Sequence, residues 1–346
     1  MTTSTFSDPG RLIRLSSNES SYGCSPRATE AFVGQQEALH RYPDGGQTAL
    51  REAIADVYNL PAASIVCGNG SEELIGLCVR KFLNGGDEVV LTHNHFVMCP
   101  IYVEAQGADI VLAAEKADLI NVDSILGAMT ERTRMVIVAN PNNPTGTCIN
   151  ADELARLVAG VPDTVMLILD GAYAEFVTSD DYDDGLGYAT TRENIVVTHS
   201  FSKIYGLAGL RIGWACAGQS VIEGINSLRT PFNANSAAMA AASAAVKDQE
   251  FVARVREANR EELDWLVPSI RSLGFAVSES VANFYLLNVE NMEGATAESL
   301  VAWLEADGIL PRPSGNDGDQ VRITIGLRSE NEAVLQSLEA YLGALK

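Results

Sequence analysis

The chain has 346 residues, 47% of them apolar and 20% charged, with a formal net charge of −21. That length suits one large domain with a smaller companion, and the absence of a run of about eighteen apolar residues argues against membrane spans. So large an acidic excess excludes nucleic acid and anionic membranes as partners, because both need a basic footprint, whereas a few arginines in a cleft can still bind a small anion.

The first forty residues have weak periodicity and several turn formers, which predicts a segment that wraps over the large domain or joins the small one. Nothing in residues 1–19 resembles a secretory signal, and the six cysteines are scattered without a Cys-x-x-Cys pair, so a cytoplasmic location with reduced thiols is expected. From about residue 47, helical stretches alternate with short apolar runs at 64–67, 88–91, 109–112, 135–139, 165–169 and 195–198. Most of these runs are continuously apolar, as strands covered on both faces must be, and the alternation predicts an α/β fold with a mainly parallel central sheet. After Pro231 come a long charged helix (248–273), a strand (283–289), a helix (296–307), a strand (321–325) and a last helix, read as a smaller α+β domain. The expected division is residues 1–40, 41–245 and 246–346.

Ligands of open α/β sheets bind beyond the carboxyl ends of the strands, so the residues after each run carry the functional expectation. The first such run leads to Gly68-Asn69-Gly70-Ser71 and a helix, whose free N–H groups suit a phosphate, although simple helix capping explains the serine as well. His93, His95 and Cys99 lack a fourth ligand, and no metal is expected. Asn140-Pro141-Asn142-Asn143-Pro144-Thr145-Gly146 forces a fixed turn bearing two adjacent amides. Asp170 ends an apolar strand, where a carboxylate is costly to desolvate without a cationic partner or a ligand hydrogen. Only five lysines occur, and Lys203 alone follows an apolar strand and precedes a Gly-rich stretch, so it is expected to be a buried, uncharged amine able to form a Schiff base.

These segments, together with Asn18-Glu19, Arg41-Tyr42-Pro43, 200–211 and 321–326, occur in an order and spacing that resemble the fold-type I aminotransferases, and within them the histidinol-phosphate aminotransferase group. The resemblance covers nearly the whole chain and implies a pyridoxal 5′-phosphate (PLP) enzyme. Lys203 would carry the cofactor and shuttle a proton, and Asp170 would bind the pyridine nitrogen. Asn143 and Tyr173 would bond the phenolic oxygen, and Phe96 would stack on the ring. Gly70, Ser71, Ser200, Ser202 and Arg211 would cradle the phosphate, with Tyr42 reaching it from the other subunit of a homodimer across which the N-terminal segment also packs. Arg322 and Asn143 would meet the substrate, Arg312 its phosphate, and Tyr22 would assist.

The implied reaction moves the amino group of L-histidinol phosphate to 2-oxoglutarate, so the partners are a small amino donor and a 2-oxo acid. An aromatic amino-acid aminotransferase and a PLP-dependent decarboxylase of phosphorylated amino acids are the alternatives within the cofactor class, and a non-catalytic binding module is the alternative outside it. Three departures bear on the substrate: Gly171 stands where many relatives have glutamate, Ser20-Ser21 where they have Asn-Pro, and Cys99, expected near the substrate pocket, where they often have tyrosine.

Overall fold

The computed structural model describes residues 12–314 and 319–345. After a short β1 (Ile13–Arg14), seven strands form one sheet: β2 (Ile65–Gly68), β3 (Glu88–Thr92), β4 (Asp109–Ala113), β5 (Thr133–Ala139), β6 (Met166–Asp170), β7 (Ile195–Ser200) and β8 (Gly213–Ala217). Their order is β2-β8-β7-β6-β5-β3-β4, with β8 antiparallel to both neighbours and every other pairing parallel. Strands β6 and β7 are buried along their whole length because helices cover both faces. Only β4, at the edge, is half open.

A second sheet, ordered β12-β13-β10-β9, is built from β9 (Ala276–Val277), β10 (Phe284–Asn288), β12 (Arg312–Ser314) and β13 (Gln320–Thr324). Between them β11 (Ile309–Leu310) pairs in parallel with β1. The N-terminal segment is therefore divided. Its strand and Leu15 belong to the smaller core, whereas the helix Pro26–Val33 contributes Ala28 to the larger one.

The two cores share one rod. Along the 24-residue helix Gln249–Ser272, Phe251, Val252 and Val255 pack into the large core, and Leu263, Leu266, Val267 and Ile270 pack into the small one. Asp248 caps this helix through the Phe251 N–H, which satisfies one of its orphan donors. Among the described residues, no helix is long and apolar enough to cross a membrane.

Candidate active site

The carboxyl ends of β5, β6 and β7 lie side by side, with Ala139 opposite Asp170 and Asp170 opposite Thr198. They open into a cavity of about 510 Å³. It is lined by Ser71, Phe96, Asn143, Asp170, Tyr173, Ser200, Ser202, Lys203, Arg211, Arg312 and Arg322. Gly70 sits at its edge as the N-cap of the helix Ser71–Phe82. Two expected residues lie elsewhere. Tyr42 is 83% exposed and stacks on Phe232 with ring centroids 4.7 Å apart. Tyr22 packs against the large core, and its hydroxyl is pushed up to about 12 by burial and by Glu262 and Glu261. Cys99 is buried in a small recess with Phe96, Asn142 and Asp170 rather than on the main wall.

Lys203 departs from the expectation of burial. Strand β7 ends at Ser200 and the following turn sends Phe201 into the core, so Lys203 emerges half-buried with its Nζ donating to the Ser17 carbonyl at 2.9 Å. The amine also lies 5.6 Å from the Tyr173 ring centroid. Asp170 is buried, and burial raises its carboxyl above the usual range although the Thr198 hydroxyl (2.9 Å) and the Ala172 N–H (3.2 Å) both donate to Oδ1. A desolvated carboxylate facing a cavity suits a ligand that brings its own N–H and positive charge.

The opposite wall is cationic. Arg312 and Arg322 are direct cross-strand partners of β12 and β13, a like-charged pairing that destabilises unless an anion lies nearby. Arg322 donates to Asn143 Oδ1 and to the Ser16 carbonyl, each at 2.6 Å, while its buried Nε has no partner among the described residues. Burial also lowers its guanidinium from the ordinary value. Of the two adjacent asparagines, only Asn143 lines the cavity, because Asn142 donates to the Asn94 carbonyl at 2.9 Å. His95 Nδ1 lies 2.9 Å from the Thr92 carbonyl.

At the third wall, the helix Ser71–Phe82 points its N-terminus into the cavity, and Arg211 bonds Ser202 Oγ at 3.2 Å. Gly70 permits that approach. Its φ is +96°, and a Cβ there would lie 2.6 Å from Arg211 Nη2. Gly70→Ala is expected to cost about 1–3 kcal/mol in backbone strain and to displace the guanidinium, lowering the thermal midpoint and weakening phosphate binding. Calorimetric melting and equilibrium dialysis check both.

The sequence did not single out Asn18 as a ligand-facing residue, although it lies in a segment that carries the resemblance. Fully buried with φ +55°, it donates from Nδ2 to Tyr173 OH at 2.9 Å and from its backbone N–H to the Thr324 hydroxyl oxygen at 3.0 Å, tying the site to the small sheet. Thr198, which bonds Asp170, was also missed. The donor set fits PLP. Asp170 suits a pyridinium, Lys203 an aldehyde, and the helix N-terminus with Arg211 a phosphate dianion.

A sheet of this topology with an amine and a buried carboxylate at its rim is the aminotransferase fold. The structure superimposes on aspartate aminotransferase from Thermus thermophilus with maleate at a TM-score of 0.85, 22% identity, covering 96% of this chain and 91% of that one. The chain belongs to the family "aminotransferase class I and II", whose model matches residues 11–338. It is 44% identical to a histidinol-phosphate aminotransferase of Rhodospirillum centenum over 97% of this chain and 94% of the relative. A solved histidinol-phosphate aminotransferase of Sinorhizobium meliloti, in complex with pyridoxal-5′-phosphate, gives a TM-score of 0.92 at 25% identity, covering 97% and 92% of the two chains.

Proposed function

We propose that the cavity binds PLP and that the chain transfers the amino group of L-histidinol phosphate to 2-oxoglutarate, giving imidazole-acetol phosphate and L-glutamate in histidine biosynthesis. One observation carries the reading: the Lys203 amine and the Asp170 carboxylate line the same cavity as the paired guanidinium groups of Arg312 and Arg322. The names of the relatives agree with it.

Bound there, the cofactor supplies a ring that accepts the electrons left at the substrate Cα when its proton departs. Lys203 Nζ would serve as the general base that takes that proton and as the acid that returns it. Asp170 holds a proton at the ring nitrogen. Asn143 and Tyr173 would hydrogen-bond the phenolic oxygen, Phe96 would stack on the ring, and Ser71, Ser200, Ser202 and Arg211 would hold the phosphate. The unpartnered Nε of Arg322 is matched by a substrate anion, and exposed Arg312 adds a second positive charge for the donor's phosphate.

The active unit in this reading is a homodimer. Tyr42, exposed and outside the cavity of its own protomer, then serves the second copy. Six free cysteines support a cytoplasmic location.

The test compares purified enzyme on histidinol phosphate and on phenylalanine with 2-oxoglutarate as acceptor. A preference for phenylalanine, or carbon dioxide release that outpaces glutamate formation, overturns the proposed substrate. Arg312→Ala is expected to raise KM for histidinol phosphate about 10- to 100-fold, the worth of one charge-assisted hydrogen bond. KM for 2-oxoglutarate should change far less in the same steady-state assay.

A further inference from the structure

The histidine next to the cofactor strand's end has no place in the scheme above, yet it is fully buried. Along β7 side chains alternate, so Thr198 reaches Asp170 while His199 points to the opposite face of the sheet. There its ring stacks on Trp214, its ladder partner, with centroids 4.6 Å apart and planes at 11°. Nδ1 lies 2.9 Å from Glu175 Oε1, and the same oxygen accepts from Tyr58 OH at 2.9 Å. Among the described residues, neither the other ring nitrogen, Nε2, nor Glu175 Oε2 has a hydrogen-bond partner. Nε2 is pressed against the backbone that follows Asp170, since a Cβ on Gly171 would lie 3.2 Å from it. The missing side chain at Gly171 thus gives the imidazole its place.

We propose that His199, held by Glu175, is a positioning residue whose buried positive charge stands behind Asp170 and keeps that aspartate anionic toward the cofactor ring. The inference rests on the reading that Asp170 meets the pyridine nitrogen. A buried carboxylate is otherwise driven toward its neutral form, which cannot hold a pyridinium. Burial also opposes the charge on His199, but Glu175, by its charge and hydrogen bond, with Asp184 and Asp170 adding theirs, outweighs it and raises the imidazole above its ordinary value. Lys203, on the far side of Asp170, acts on the aspartate in the same sense as His199.

The full-length protein tests this without turnover. Imidazole nitrogen-15 spectra of the apoprotein, whose four histidines are resolved by assigning His199 from its loss in His199→Gln, should show both of its ring nitrogens protonated at pH 7. A neutral tautomer there overturns the proposal. Equilibrium dialysis with PLP should then show binding weakened about tenfold in His199→Gln, on the scale of one charge contact through a polar interior. His199→Arg keeps a cation able to stack on Trp214 and to fork onto both Glu175 oxygens, and should return binding to within about twofold. Unchanged affinity in His199→Gln, or equal loss in both variants, reduces His199 to packing and sinks the idea. Failure of the unaltered protein to bind PLP at all instead overturns the proposed function, and the apoprotein spectrum tells the two failures apart.

Discussion

Lys203→Ala is expected to lower turnover with histidinol phosphate by about four orders of magnitude, because in the proposed function one side chain supplies both the covalent attachment and the proton shuttle. The fold should survive. Lys203 is half-buried and, among the described residues, makes one hydrogen bond, to the Ser17 carbonyl, whose loss costs about 1 kcal/mol. Single-turnover kinetics and a thermal melt separate the two effects, and borohydride reduction followed by peptide mapping should place the cofactor on Lys203 in the unaltered enzyme. A variant that retains more than a hundredth of the activity, or a label on another lysine, removes the assignment of the amine. The cation itself is then only a neighbour of the Tyr173 ring.

Asp170→Asn is expected to act in opposite directions on activity and on the empty protein. Turnover should fall about 10²- to 10³-fold, the usual loss when one preorganised charge is removed from a reacting centre. The apoprotein should become more stable at neutral pH. The sign follows from linkage: burial raises the folded-state value of Asp170 above its unfolded one, so the folded chain loses stability as pH rises through that window. Below the unfolded carboxyl range both states are protonated, and the advantage of asparagine disappears. Melting curves of both apoproteins from acid to neutral pH check the crossover, and an advantage that persists in acid removes the electrostatic explanation.

Much of this site was legible because strands buried on both faces are continuous apolar runs, and their polar terminators, Asn143, Asp170 and Lys203, stand out against them. Strand β8 was not legible: Gly213, Ala215 and Ala217 give it too little bulk to read as a run, and it is specified by pairing with β2 and β7. The burial expected for Lys203 failed for a local reason, since the turn spends its inward position on Phe201. Tyr22 lies within the electrostatic reach of Glu262 on the shared helix, a proximity across 240 residues of sequence that periodicity cannot encode. His199 was not legible because a polar residue inside an apolar strand carries no mark of which face of the sheet it enters.

Two guanidinium groups set opposite each other on neighbouring strands leave the resting enzyme with a standing appetite for oxyanions. Sulfate or inorganic phosphate in a buffer is expected to compete with the donor for that wall, so that apparent affinities measured in such buffers would understate the enzyme. Chloride at matched ionic strength screens the charges without bridging them. A comparison of the two salts therefore separates a shaped receptor from a merely positive surface.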